Sequence, residues 1–270
     1  MSKDLPLGRE TDYPDQYAPE LLFPIARDDS RVWAERGKWP PFSGVDIWNA
    51  WELTWLDRRG KPRVASAEIR VPAESPNIVE SKSLKLYLNS FSMSHFASSH
   101  EVGERIRADL GKAAGAAVEV SLMSPAQTEG GTTAVLPGHC IDDLNIDCDS
   151  YEAHPDYLQS GDDIVEETLH THLLRSLCPV TAQPDTGSLL IRYRGPAIDH
   201  EGLLRYVVSF RRHSDFHEAC VERIFIDLKY RCVTESLTVY ARYQRRGGID
   251  INPYRSDTAD DVQNLRLWRQ

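Results

Sequence analysis

The chain has 270 residues, 41% hydrophobic and 27% charged, the proportions of a soluble globular protein long enough for one large or two modest domains. Asp and Glu outnumber Lys and Arg 41 to 31, for a net charge of -10, which argues against direct nucleic-acid binding, where a basic footprint supplies the affinity. No apolar run approaches the ~18 residues that span a bilayer, and Met1-Ser2-Lys3-Asp4-Leu5-Pro6 lacks a signal-peptide core, so no membrane partner and a cytoplasmic location are expected.

Residues 1–42, rich in proline and aromatics, read as an arm whose Leu21-Leu22-Phe23-Pro24-Ile25 packs on something. From Val45 the pattern has period two, with Val45, Ile47, Trp51, Leu53 and Trp55 on one face, so a strand is expected, with a partner from Arg63 to Val71 after the turn Asp57-Arg58-Arg59-Gly60-Lys61-Pro62. Leu84, Tyr87, Leu88 and Phe91 are spaced for a helix that Ser81 can cap. A second helix runs from about Ser94 to Ala114, where Ser98 and Glu101 have capping-box spacing, and Ala116 to Leu122 returns to a strand. Residues 125–163, acidic and rich in glycine and proline, read as a linker.

The same order then recurs. Ile164 to Leu177 and Ser188 to Arg194 read as strands, Glu201 to Arg212 and His217 to Tyr230 as helices. Glu235 to Tyr243 closes the repeat, with Leu237, Val239 and Ala241 alternating against Thr238, Tyr240 and Arg242. The expected fold class is therefore α+β: two tandem β-β-α-α-β modules, 43–124 and 164–270, each an antiparallel sheet with helices on one face.

Chemistry concentrates in three stretches. Ser176-Leu177-Cys178-Pro179-Val180-Thr181-Ala182-Gln183-Pro184-Asp185 joins a cysteine to an aspartate across a loop that Pro184 and Gly187 can shape. A thiol attacks as thiolate, and a carboxylate is a suitable proton acceptor and later donor; a buried cysteine beside a turn aspartate is the plain structural alternative. Glu80-Ser81-Lys82-Ser83-Leu84-Lys85-Leu86-Tyr87 sets a carboxylate, a hydroxyl and an amine at a helix start, where free amides suit an anion; the same residues also make a capped amphipathic helix. Phe216-His217-Glu218 opens another helix, offering a proton carrier and an anchor for an N-H-bearing heterocycle, or simply favourable first-turn charge.

Arg245-Arg246-Gly247-Gly248 can clamp a phosphate or form a basic turn. His170 and His172 lie two apart on one strand face, and His139-Cys140 with Cys148 offers softer ligands, but neither set completes a four-ligand zinc pattern, so no metal is expected. Five cysteines, odd in number and irregularly spaced, argue against a disulfide framework. No Rossmann or P-loop glycine motif occurs, so any dinucleotide is held by another device.

These stretches resemble the NADPH-dependent 7-cyano-7-deazaguanine reductases, the nitrile reductases of queuosine biosynthesis. Glu80 to Tyr87 looks like the family signature. The Cys178 to Asp185 loop, Phe216-His217-Glu218-Ala219-Cys220-Val221-Glu222-Arg223 and Arg245-Arg246-Gly247-Gly248-Ile249-Asp250-Ile251-Asn252-Pro253 resemble its long, two-module branch. The likeness runs from Leu5-Pro6-Leu7-Gly8 to Pro253-Tyr254-Arg255-Ser256.

The resemblance implies a tunnelling fold, duplicated in tandem. It implies that Cys178 attacks the nitrile carbon to give a thioimidate, that Asp185 supplies the proton with help from His217, and that two NADPH molecules per turnover deliver two hydrides. Glu80 and Glu218 are implied to bind the deazaguanine beside Phe216 and His217, with Ser81, Lys82, Arg246 and Gly247 holding NADPH. A homodimer without metal is implied as well. Two other readings of the same residues remain: a cofactor-independent thiol hydrolase using Cys178, His217 and Asp185, and a non-enzymatic purine or pterin binder anchored by Glu80 and Glu218.

Overall fold

The computed structural model describes residues 13–31, 41–125, 133–259 and 261–270. Residues 1–12 and 32–40 of the arm, including the Leu5-Pro6-Leu7-Gly8 start of the resemblance, lie outside the described residues, as do 126–132 of the expected linker. The fold is α+β. Its elements are β1 (Pro24–Ala26), β2 (Ser43–Leu56), β3 (Pro62–Pro72), β4 (Asn77–Val79), α1 (Ser81–Asn89), α2 (Ser99–Ala114), β5 (Glu119–Met123), β6 (His139–Cys140), β7 (Ser160–Leu177), β8 (Pro184–Ile198), α3 (His200–Ser209), α4 (His217–Arg231), β9 (Ser236–Tyr243) and β10 (Ile249–Ser256). They fall into two compact units. One holds residues 13–30, 47–125 and 245–250, the other residues 31, 41–46, 133–244 and the described part of 251–270.

In the first unit β3 lies between β2 and β5, antiparallel to β5. Ala65, Ala67, Ile69 and Val71 are buried on one side of β3, the period-two pattern its sequence carries. Helix α2 turns Val102, Ile106 and Leu110 inward and lays Gly103 against Leu122 of β5. Ser98 caps it by accepting from Glu101 N, while the Glu101 side chain accepts from Ala97 N. The helix therefore begins five residues later than its apolar spacing suggests. The arm is more ordered than its proline content implies: β1 pairs antiparallel with β4, and Tyr17 packs edge-on against Tyr87, Phe91 and Phe96.

In the second unit the strand order is β10-β9-β8-β7-β6, antiparallel except where β6 runs parallel to β7. The β7–β8 hairpin exceeds its sequence-based limits at both ends. Backbone pairing carries the strands beyond the hydrophobic alternation, as at the polar Ser160, which sits opposite Ile198. Residues 133–163, expected as a linker, are in part packed, with Leu136, Ile141 and Leu158 buried. Arg211 and Arg212, expected at the end of a helix, lie in a 3-10 turn after α3.

Two features escape the sequence pattern. β9 does not close the second repeat, because β10 follows it and Pro253 hid that strand by suggesting a break. Nor is the Thr238, Tyr240, Arg242 face of β9 solvated. All three are buried: residues 263–270 cover two of them, with Tyr240 donating to Gln263 O and Arg242 to Asn264 Oδ1 and Gln270 Oε1, while the Thr238 hydroxyl pairs with that of Ser256.

Buried charges tie α4 to β10. Arg255, fully buried, contacts Asp46 Oδ1 at 2.8 Å and Glu222 Oε1 at 2.8 Å, and Arg31 reaches both oxygens of the same Glu222 at 2.8 Å. Asp46 and Glu222 hold the Arg255 guanidinium protonated against the cost of its burial. Removing one member strands the others without water. Glu222→Ala is expected to lower unfolding stability by about 3–5 kcal/mol, measured by urea denaturation with circular dichroism; a loss below about 1 kcal/mol would contradict this account.

Candidate active site

The hairpin register builds the site. Ser176 pairs with Asp185 and Leu177 with Pro184, so Cys178 opens the loop at the end of β7 and Asp185 sits at the start of β8. Cys178 N donates to Gln183 O and Ala182 N to Cys178 O, each at 2.9 Å, closing a tight loop. Ala182 takes φ 55°, a left-handed conformation that costs a non-glycine residue of the order of 1–2 kcal/mol. The turn is thus made at Ala182, and not by Gly187 as its sequence suggests, since Gly187 lies within β8.

Gly187 has a different purpose. Asp185, Gly187 and Leu189 alternate on one face of β8, and Gly187 pairs with Tyr243 of β9. A Cβ on Gly187 would stand 3.2 Å from the Tyr243 ring, so the missing side chain is the space that ring uses. His217, first residue of α4, stacks on Tyr243 with centroids 3.8 Å apart and planes 9° off parallel. From there its Nε2 lies 3.3 Å from Asp185 Oδ2. Asp185 and Glu218 are both buried, each with 3% exposure, while Cys178 is half-buried. Strand, glycine gap and helix start therefore bring Asp185 and His217 together at the end of the hairpin that carries Cys178.

Two further cysteines of this unit are poor nucleophiles, since burial pushes the Cys220 thiol far up and the Cys232 thiol to about 11. Sequence reasoning missed Tyr243, whose spacing marks only a core strand, and Asp215. The Asp215 carboxylate accepts from Phe216 N at 2.8 Å ahead of α4, and burial raises it from 3.8 to about 6 against that hydrogen bond.

The remaining candidates lie in the first unit. Glu80, and not Ser81, is the N-cap of α1: its oxygens accept from Lys82 N at 2.9 Å and Ser83 N at 2.7 Å, and its carboxylate is buried. Ser81 follows as the first helical residue. The Arg245–Gly248 turn is fixed by Asp250, which accepts from Asn49 and Trp51, and by Trp51 N donating to Gly248 O. Gly247 and Gly248 have φ 63° and 82°. A Cβ on Gly247 would lie 3.1 Å from Lys85 Cε, so this turn meets the α1 face that also carries Lys82. Arg245 is already engaged, donating to Glu52 and lying over Trp51.

A family model described as nitrile reductase, 7-cyano-7-deazaguanine-reductase N-term, matches residues 13–122. Another, described as QueF-like protein, matches residues 184–261. Over 272 aligned residues the chain is 52% identical to the NADPH-dependent 7-cyano-7-deazaguanine reductase of Desulfotalea psychrophila, covering 100% of this chain and 99% of that one. The chain belongs to this reductase family. The reductase of Bordetella parapertussis is 55% identical over 253 residues, 93% of each chain. The chain also matches the archaeosine synthase QueF-Like in the apo form with a TM-score of 0.31 and 16% identity, covering 38% of this chain and 100% of that one, a likeness too slight to bear on fold or activity. Glu80, Ser81 and Lys82 fall inside the first family match, and Asp185, Phe216, His217, Glu218, Arg246 and Gly247 inside the second; Cys178 lies between the two.

The raised Asp215 gives a signed pH effect. Its folded form binds the proton more tightly than the unfolded chain does, so stability falls as pH rises from about 4 to about 6 and stays lower above that. Asp215→Asn, which keeps an acceptor for Phe216 N, is expected to be about 1–3 kcal/mol more stable than the parent at pH 7, with the gain fading as pH falls from about 6 to about 4 in thermal melts. A gain independent of pH would contradict the assignment.

Proposed function

We propose that the chain reduces the nitrile of 7-cyano-7-deazaguanine to the aminomethyl group, using two NADPH per turnover, and serves queuosine biosynthesis as a cytoplasmic homodimer. Family membership at 52% identity over the full chain carries the reaction class, that of an NADPH-dependent oxidoreductase. The hairpin geometry supports the residue roles. Cys178 adds to the nitrile: its sulfur bonds to carbon, and the proton reaches nitrogen from Asp185, leaving a thioimidate. This converts a poor electrophile into an activated C=N. His217, held against Asp185 and stacked on Tyr243, orients that carboxyl and helps return its proton.

NADPH, when bound, would supply the two hydrides that the C=N carbon needs, and Cys178 would leave as thiolate between them as its carbon–sulfur bond breaks. The residues of the first unit fit a phosphate-bearing cofactor: Lys82 and Lys85 share a helix face beside Gly247, and a Cβ at Gly248 would meet nothing within 4 Å. Ser81, Lys82, Arg246 and Gly247 would hold it. Glu80 and Glu218 would anchor the deazaguanine N-H groups beside Phe216; although Glu80 accepts two backbone amides, each of its oxygens keeps a lone pair for ligand. No step in this scheme calls for a metal ion.

Intact-protein mass spectrometry with the nitrile and no NADPH is expected to show a gain of one ligand mass, lost in Cys178→Ala; no adduct at saturating nitrile would sink the covalent step. With cofactor present, NADPH absorbance should fall by two equivalents per nitrile, and release of acid and ammonia without NADPH would instead make this a hydrolase. Asp185→Asn is expected to cut kcat roughly 10²- to 10⁴-fold in the same absorbance assay while the protein still binds substrate. Unchanged turnover would remove Asp185 from the mechanism.

A further inference from the structure

The second unit gathers a set of donors that the reductase scheme leaves idle. The parallel pairing of β6 on β7 sets Cys140 opposite His170, and His172 follows two residues along the same strand face. One ligand atom from each of Cys140, His170 and His172 lies within 4.8 Å of the other two. The sequence offered the two histidines and the cysteine as separate fragments. The fold makes one cluster of them.

We infer that Cys140, His170 and His172 form a binding site for a borderline divalent metal ion of the zinc class, with a fourth position left to water or an external ligand. One thiolate and two imidazoles are a characteristic donor set for such ions. The histidines are prepared for it. His170 Nδ1 lies 3.0 Å from Pro137 O, which only accepts, so Nδ1 carries the hydrogen and Nε2 keeps its lone pair. His172 Nδ1 lies 2.7 Å from the buried Ser188 Oγ, a hydroxyl that orients the ring and can accept from Nδ1–H in the tautomer that leaves Nε2 its lone pair.

The remaining adjustment is small. A tetrahedral ion with bonds of about 2.0 Å to nitrogen and 2.3 Å to sulfur spaces its ligand atoms about 3.3–3.5 Å apart. Donors within 4.8 Å therefore close by about 1 Å or a little more, and Cys140, at the surface, is free to turn. The backbone beneath is already fixed: Gly138 has φ 86°, and a Cβ there would collide with Thr168 O at 2.1 Å. A bound ion would staple β6, a strand of only two residues, to the long β7. Cys178 lies six residues beyond His172, about 20 Å along an extended chain, so this site is separate from the nucleophile.

Full-length protein stripped with chelator and titrated with cobalt(II) alone tests the site. One equivalent should produce a thiolate-to-cobalt charge-transfer band and intense four-coordinate ligand-field bands. Both should vanish in Cys140→Ser and in His172→Ala, the latter checked for folding by circular dichroism, and persist in Cys148→Ser and Cys178→Ala. Zinc should raise the Tm of the parent and leave that of Cys140→Ser unmoved. Absence of the charge-transfer band, its survival in Cys140→Ser, or an equal zinc shift in both proteins would overturn the inference.

Discussion

The pairing of Ser176 with Asp185 is the constraint on which the proposed chemistry rests. Side chains alternate across a strand, so a slip of β8 by one residue against its neighbours would send Asp185 to the opposite face and away from His217. Two devices guard against that slip. Gly187 leaves a gap that only one β8–β9 register aligns with the Tyr243 ring, and the tight turn at Ala182 fixes how many residues the β7–β8 loop can hold. The nucleophile loop is thus a consequence of strand geometry, with its strain held by a long ladder on the side away from the loop.

Electrostatics place the helix that completes the arrangement. Helix α4 carries His217 at its start and Glu222 a turn and a half later, and Glu222 lies between Arg31 and Arg255. Two guanidiniums sharing one buried carboxylate leave little freedom for the helix to slide or rotate. A polar interior of this kind is seldom the most stable solution, but it is a specific one, because each charge has partners only in one position of the helix. Precision at Asp185 and His217 therefore depends partly on ions some distance along the same helix.

Much of this was legible in the sequence, and what was not has particular causes. Alternation in β2, β3 and β9 and helical spacing in α1, α2 and α4 identify the repeated order because each buries one face. The cap of α1 was misread because Ser81 is the more usual cap, whereas Glu80 reaches both amides from one position earlier. β10 was missed because Pro253 interrupts its pattern and because its polar residues are buried in pairs with partners distant in sequence, such as Arg255 with Glu222. The loop chemistry of Cys178 and Asp185 was visible as residues, but the part of Tyr243 was not, since a buried aromatic in a strand looks the same whether or not an imidazole lies upon it. Likewise Cys140 could not be joined to His170 and His172 without the parallel bridge that carries it there.

The tail that covers β9 has a consequence beyond the hydrogen bonds it fills. It makes the second unit locally three layers deep, with helices, sheet and a strap of irregular chain in which Gln270 bridges Arg242, Asn252 and the Tyr243 carbonyl. Beneath it Tyr240 meets the Tyr254 ring edge to face, with centroids 5.7 Å apart. Peeled away by fraying or a protease, the strap would leave Tyr240 and a stranded guanidinium open to water, and exposed aromatic surface recruits other chains. The strap thus also acts as a guard against aggregation, and the solubility of the whole molecule depends in part on a segment that takes no part in its chemistry.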